Sequence, residues 1–421
     1  MPLLPKIVIV GAGFGGLWAA KKLAGSQADV LIIDRNNYHT FSPLLYQVAA
    51  AELEPENIIY PLRSVLRGKQ HLRLLIDEVT GIDLEARLVE TRSHVFPYDF
   101  LILALGSSSH FFDVEGASEY AVPLKNLEDA IAVRNHIRFR FERALSETKQ
   151  EKRRRMLTFA VIGGGPTGVE FSGALAELIR GPLSKDYSAL DFREVSLLLL
   201  EASDHLLPGL PQRLQIYALN RLQKMGVKVH LGAKVTRITP EGVTLEDNTV
   251  IPLETPIWTA GVRGAPPAQV ANLPILRNGQ VNVLPTLQVP HHPEVYVIGD
   301  LARLEDNGRP VPMVAPVAVQ EGEMAAQNIM RQISREEPVP FRYQDPGTLV
   351  TIGRNAAAVH LGGRNFTGFF AWLVWLGVHL IKLIGFRNRL LVLINWAWDY
   401  LFFERGVRLI VPLPEECPDS N

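Results

Sequence analysis

Two short runs of apolar, largely β-branched residues, Ile7-Val-Ile-Val10 and Phe159-Ala-Val-Ile162, each lead directly into glycines and then into a segment with helical spacing. The pattern predicts two strand–loop–helix units of one kind, with helices over Leu17 to Ala24 and Val169 to Arg180. Further strands are expected at Ser196 to Leu200, Val227 to Leu231 and Val295 to Ile298, with turns at Glu241-Gly242 and Asn278-Gly279. Glu128 to Lys152 reads as one charged helix whose basic end, Lys152-Arg-Arg-Arg155, is a solvated face. After Arg335-Glu-Glu-Pro338 the pattern changes, and Trp and Phe concentrate from 366 to 403.

The most apolar stretch of this region is Phe369 to Phe386, eighteen residues interrupted by His379 and Lys382. At helical spacing Trp372, Trp375, His379 and Lys382 form one stripe, and Phe370, Leu373, Ile381 and Ile384 lie on the opposite face. A second run, Leu390 to Phe403, is too short to span a bilayer, and Asn388, Asn395 and Asp399 share one of its stripes. Arg387, Arg389, Arg405 and Arg408 flank it and are placed to meet anionic lipid, at about 1 kcal/mol each. The expectation is a pair of helices lying in the headgroup plane. A core or dimer helix pair and a membrane span are the alternatives.

At 421 residues the chain needs more than one hydrophobic core. With 21% charged residues and a net charge of -1, it carries no basic field of the kind that gathers nucleic acid. Its one cysteine, Cys417, excludes a disulfide framework, an all-cysteine zinc site and a catalytic dithiol. Eleven scattered histidines give no metal-ligand spacing, so no metal is expected. The first strand follows Met1 within six residues, with no separate apolar leader, which points to a cytoplasmic start.

In Gly11-x-Gly13-x-x-Gly16 the first glycine allows the tight turn, the second lets a pyrophosphate approach the backbone, and the third lets helix and strand pack closely. An acid at the end of the next strand should bind a ribose hydroxyl, and Asp34 stands there, at the end of Val30-Leu-Ile-Ile-Asp34. The second loop is Gly163-x-Gly165-x-x-Gly168, with Glu201 as its acid. Ala202-Ser-Asp-His205 follows without an arginine to accept a 2′-phosphate, which favours NADH over NADPH. Two dinucleotide loops imply a flavin that stays bound and a nicotinamide that visits. Val295-Tyr-Val-Ile-Gly-Asp300 would set Asp300 on the flavin's ribityl hydroxyls, or be a plain strand end with an N-capping Asp.

These elements resemble the two-dinucleotide flavoproteins, and Tyr38 to Ala49, Gly168-Val-Glu170, Trp258-Thr-Ala-Gly-Val262, Gly299-Asp300 and Ala315-x-x-Ala-x-Gln320 narrow the resemblance to type II NADH dehydrogenases. It covers nearly the whole chain. It implies an α/β fold of two Rossmann-like dinucleotide-binding domains plus a C-terminal amphipathic helical, membrane-anchoring region. The domains would be 1–120 with 266–345 for FAD, 121–265 for NADH, and 346–421 for the membrane. Carried over by position, Gly11, Gly13, Gly16, Asp34, Ala104, Gly106 and Asp300 would hold FAD, and Gly163, Gly165, Gly168 and Glu201 would hold NADH. Glu170 would lie near the nicotinamide, and Ala315 and Gln320 by the flavin where quinone reaches it.

One departure stands out, because the family motif usually has Gln after that Ala and this chain has Pro316, which has no amide hydrogen to offer a quinone. The quinone-contact role is therefore not carried to 316. Proline suits the start of a helix, and Glu321 to Ile333 reads as helical. Relatives that reduce disulfides or oxidise sulfide need cysteines beside the flavin, and none precedes Cys417. The expected activity is NADH:quinone oxidoreduction without proton pumping, at the cytoplasmic face of a membrane, by a homodimer. Alternatives are a reductase of a soluble electron-carrier protein and a non-catalytic NADH-binding flavoprotein.

Overall fold

The computed structural model describes residues 4–265, 273, 275–306, 308–402, 404, 407, 409 and 410. Arg405, Arg408 and Cys417 lie outside these. The longer helices, in chain order, are α1 (Phe14–Leu23), α2 (Leu127–Ser146), α3 (Pro166–Leu178), α4 (Gln212–Lys224), α5 (Ala315–Ile333), α6 (Phe369–Lys382) and α7 (Phe386–Phe402).

The chain forms two compact units. The first takes residues 1–40, 59–108 and 262–346. Its main sheet runs Gln288–Val289, His292–Val297, Phe100–Leu103, Lys6–Val10, Asp29–Asp34, Leu72–Ile76, parallel from the second strand onward. Parallel strands are covered on both faces, which is why Ile7-Val-Ile-Val10 is apolar without alternation and buried throughout. α1 and α5 approach closely, for a Cβ at Gly322 would collide with the Gly15 carbonyl oxygen.

The second unit takes residues 41–58, 109–261 and 347–421. Its parallel sheet runs Val122–Pro123, Thr255–Trp258, Thr158–Ile162, Ser196–Leu200, Lys228–His230. An antiparallel sheet, Thr348–Thr351, Ala357–Leu361 and Arg364–Gly368, leads into α6 and α7. Composition sets 346–421 apart, yet the described residues from 347 onward belong with the half that carries the second glycine loop. The architecture is α/β with two Rossmann-like units.

Three helical expectations need correction. The charged segment after 127 is two helices, α2 and Gln150–Met156, with an extended residue, Glu147, after α2. Its basic run pairs with acids: Arg153 with Glu194 at 2.7 Å and Arg155 with Glu254 at 3.0 Å. α5 begins at Ala315, six residues before the predicted start, and Pro316 occupies its first turn, where an N–H has no intrahelical acceptor anyway. Phe369 to Phe386 is not one helix either. α6 ends at Lys382, Leu383 is extended, and Gly385 turns the chain at φ +89°.

Burial shows which face each of α6 and α7 keeps against protein. Trp375 is buried at 1% exposure, stacks on His379 at 4.1 Å, and belongs to the interior of its unit. Burial lowers His379 to about 4, so it is neutral at pH 7 and adds no basic edge. Phe370, Ile381, Phe386 and Leu401 are 68–81% exposed. In α7 the polar stripe points to protein. Asn388 donates to the Glu56 carbonyl at 3.4 Å, Asn395 to Asn57 Oδ1 at 2.9 Å, and Asp399 pairs with Arg354 at 2.8 Å. Arg389 donates to the Ile381 and Leu383 carbonyls, both at 2.8 Å, and so clamps the break between the helices. Among the described residues no helix is long and apolar enough to cross a membrane.

Candidate functional site

Both glycine loops fold alike, for one steric reason. Gly11 has φ +100° and Gly163 φ +114°, and a Cβ at either would strike the backbone of the strand end beside it, Ala104 or Ala260. The middle glycines differ, since a Cβ at Gly13 or Gly165 would meet nothing within 4 Å. Gly13 and Gly165 are the N-caps of α1 and α3, and neither helix start has a side-chain cap. Open space beside uncapped N–H groups fits a pyrophosphate. At Gly16 and Gly168 an added Cβ would collide with the carbonyls of Gly11 and Gly163, so these glycines let each helix return tightly onto its loop.

The acids are held by backbone. Asp34 accepts from the Ala12 amide at 2.6 Å and the Asn36 amide at 2.7 Å, and burial raises its carboxyl despite them. Glu201 accepts from the Gly164 amide at 2.5 Å and from Ser203 N at 2.8 Å and Oγ at 2.7 Å. Each carboxylate is thus fixed against its own glycine loop.

In the first unit Ala104 and Gly106 follow strand Phe100–Leu103, and Asp300 follows His292–Val297. Phe100–Leu103 lies between Lys6–Val10 and His292–Val297 and is parallel to both, so all three residues emerge at the same end of the sheet as the glycine loop. The Asp300 carboxylate accepts from the Ser107 hydroxyl. Glu321, 1% exposed on α5, accepts from the Gly299 amide at 2.6 Å and is pushed up to about 8 by burial, with Asp300 adding to the shift. Nothing in the sequence singled it out. The Gln320 amide is occupied on both sides, donating to the Gln344 carbonyl at 2.8 Å and accepting from its N–H at 3.0 Å. One N–H and one lone pair of that amide are left for a further partner. Ala315 opens α5.

Glu170 lies on α3, half a turn beyond the second loop's last glycine, and it is almost wholly buried. Burial pushes its carboxyl up to about 8, against the weak pull of the Thr351 amide at 3.4 Å. At pH 7 it is an acid holding its proton. It lines a cavity of about 50 Å³ together with Tyr46, Gln47, Trp375 and Trp396. Trp396 donates to Gln47 Oε1 at 2.9 Å, and Gln47 donates to the Tyr46 hydroxyl at 3.0 Å. The cavity therefore joins α3, the segment 41–58 and both C-terminal helices within one unit.

Comparison with known proteins agrees with this geometry. Residues 5–322 match the pyridine nucleotide-disulphide oxidoreductase family, and residues 346–405 match the NDH2 C-terminal domain. A type II NADH:quinone oxidoreductase of Mycobacterium tuberculosis is 38% identical over 420 residues, covering 96% of this chain and 90% of its own. One from Staphylococcus haemolyticus is 31% identical over 373 residues, covering 86% and 91%. The chain belongs to the type II NADH:quinone oxidoreductases. Their fold is seen in NDH2 from Plasmodium falciparum, solved in complex with NADH, which superposes with a TM-score of 0.86 at 20% identity, covering 97% of this chain and 100% of that one.

At the start of α5 in this type II oxidoreductase, Pro316 follows Ala315. Sequence reasoning reached the glycine loops and their acids through local spacing, and Glu170 through the family motif. It missed Gln47, Thr351, Trp396, Glu321 and the Arg354–Asp399 pair. All act through partners far away in the chain, and the one available signal was the clustering of Trp with Asn and Asp after 366.

Proposed function

We propose that this chain binds FAD in its first unit and NADH in its second and delivers two electrons to a membrane quinone at its outward apolar face. FAD-dependent NADH:quinone oxidoreduction without proton pumping is the activity of the family to which it belongs. One observation carries the reading to these residues. Two uncapped glycine loops, each with its acid tied to its own backbone, share a chain with helices that keep polar stripes inward and large apolar side chains outward.

FAD, when bound, supplies the two-electron redox chemistry between nicotinamide and quinone. The protein's part is placement. Gly11, Gly13 and Gly16 with the start of α1 receive one pyrophosphate, Asp34 the ribose beside it, and Ala104, Gly106 and Asp300 the rest of the flavin along the sheet edge. Gly163, Gly165 and Gly168 with the start of α3 receive the other, and Glu201 takes its ribose and repels a 2′-phosphate, selecting NADH. Glu170, near the nicotinamide, offers a neutral carboxyl that can donate a proton at pH 7. Ala315 and Gln320 lie at the start of α5 on the quinone side of the flavin. With no amide hydrogen at 316, that position would offer the quinone no hydrogen-bond donor. The chain works as a homodimer on the cytoplasmic face of the membrane, attached through α6 and α7 without crossing it.

The test uses the purified, flavin-loaded protein. NADH should bleach the flavin absorbance, and a quinone should restore it faster than any protein carrier does. Restoration by a soluble carrier alone would favour the carrier-reductase alternative, and an NADH complex that neither bleaches nor turns over would favour a sensor.

A further inference from the structure

Beyond the end of α3 the chain widens into a π-turn, Ile179–Leu183, that carries Arg180 and Pro182. Beside it lies a cavity of about 280 Å³ walled by Glu177, Arg180, Arg221, Lys224 and Arg354. Four cations face one carboxylate, and that carboxylate is already engaged. Glu177 Oε1 accepts from the Arg354 amide at 2.6 Å and Oε2 stands 3.6 Å from its Nε, while Asp399 takes the guanidinium at 2.8 Å. Arg180, Arg221 and Lys224 form no ion pair among the described residues.

Their arrangement is built rather than incidental. Arg221 donates to the Ile352 and Arg354 carbonyls at 3.4 and 2.9 Å, which anchors its guanidinium in the wall. The Arg180 guanidinium rests on Gly226, where an added Cβ would collide with it. The dipole of α4 accounts for Arg221 and Lys224 in its last turn. It does not account for Arg180, brought to the same cavity from another element. Like charges gathered around one space repel unless an anion joins them.

We propose that this cavity binds a phosphate group, and that an acidic lipid headgroup supplies it. Guanidinium forks and an ammonium match the charge-assisted bonds that phosphate oxygens accept. The lipid source follows from Arg354, a wall residue paired to α7, the helix on which Trp398 and Leu401 are exposed. Only the choice of source rests on the proposed membrane attachment.

The experiment uses the full, flavin-loaded chain and two charge-matched double variants: Arg180→Gln with Lys224→Gln in the cavity, and Arg213→Gln with Lys228→Gln on exposed sites outside it. Flotation with phosphatidylcholine vesicles, with and without phosphatidylglycerol, should show the cavity variant losing about thirtyfold in association with the acidic vesicles alone. The control should lose far less. If vesicle binding is unchanged but inorganic phosphate raises the melting temperature of the wild type and not of the cavity variant, the site takes free phosphate and the lipid source is wrong. Equal losses in both variants, or no response to either probe, overturn the proposal. Loss of NADH bleaching with phosphate binding kept would break the functional reading and leave this one standing.

Discussion

The glycine-loop helices and the last helix, α7, differ in the face that they keep against protein. α1 and α3 bury Leu17, Leu23, Phe171 and Leu175 in the interiors of their units. α7 buries Asn388, ties Asn395 and Asp399 to protein partners, and exposes Leu390, Leu393, Ile394 and Leu401. A buried polar group is costly unless a partner meets it. The partners of α7 come from Glu56, Asn57 and Arg354, far away in the chain. Periodicity shows that a helix has two faces. Which face the protein keeps depends on partners elsewhere.

The largest expected effect tests whether the aromatic stripe is core. Trp375→Ala should destabilise the protein by about 3–5 kcal/mol in denaturant unfolding. A cost below about 1 kcal/mol would return Trp375 to the surface and break the comparison.

Glu170 is where the two kinds of helix meet, and Glu170→Gln should lower kcat with quinone about a hundredfold while NADH binding persists. Its raised carboxyl favours folding fully below the ordinary carboxylate value of 4.5, and that contribution fades as pH rises through about 8. The wild type should therefore lose stability between these pH values relative to the Gln variant. A variant with the same pH dependence of both unfolding and kcat would show that the carboxyl is already ionised at neutral pH.

Asp399→Asn weakens a pair whose side chains are 16% and 17% exposed, and it should cost about 1–2 kcal/mol in thermal unfolding. No loss would mean that the polar stripe of α7 is dispensable. The smallest effect on stability belongs to Phe370→Asp on the exposed face, within about 0.5 kcal/mol of wild type. Its association with vesicles should nevertheless fall, and unchanged association would remove the outward face from membrane attachment.

How much of this the sequence showed follows the range of each interaction. The two loops, Asp34 and Glu201 were legible because the turn, the phosphate space and the acid all sit within one strand–helix–strand unit. The break at Gly385 was readable in principle, because a glycine there adopts φ +89°. The break after α2 was not, since neither Gly nor Pro marks 147–149. Trp375, His379 and Lys382 share a stripe, as their spacing requires. That Trp375 turns inward while Lys382 stays exposed depends on Tyr46 and Trp396, whose rings lie 6.4 and 5.8 Å from Trp375. No local pattern contains that distance.

The clamp of Arg389 on the carbonyls that end α6 sets how the C-terminal pair behaves as a whole. A glycine bend alone would be a hinge, letting each helix leave a lipid surface separately. With the guanidinium bonded to both the Ile381 and Leu383 carbonyls, the bend is held as an elbow and the two helices are coupled across it. Attachment should then be all-or-none, with the contributions of the two helices added in one cooperative step, so that weakening either loosens both.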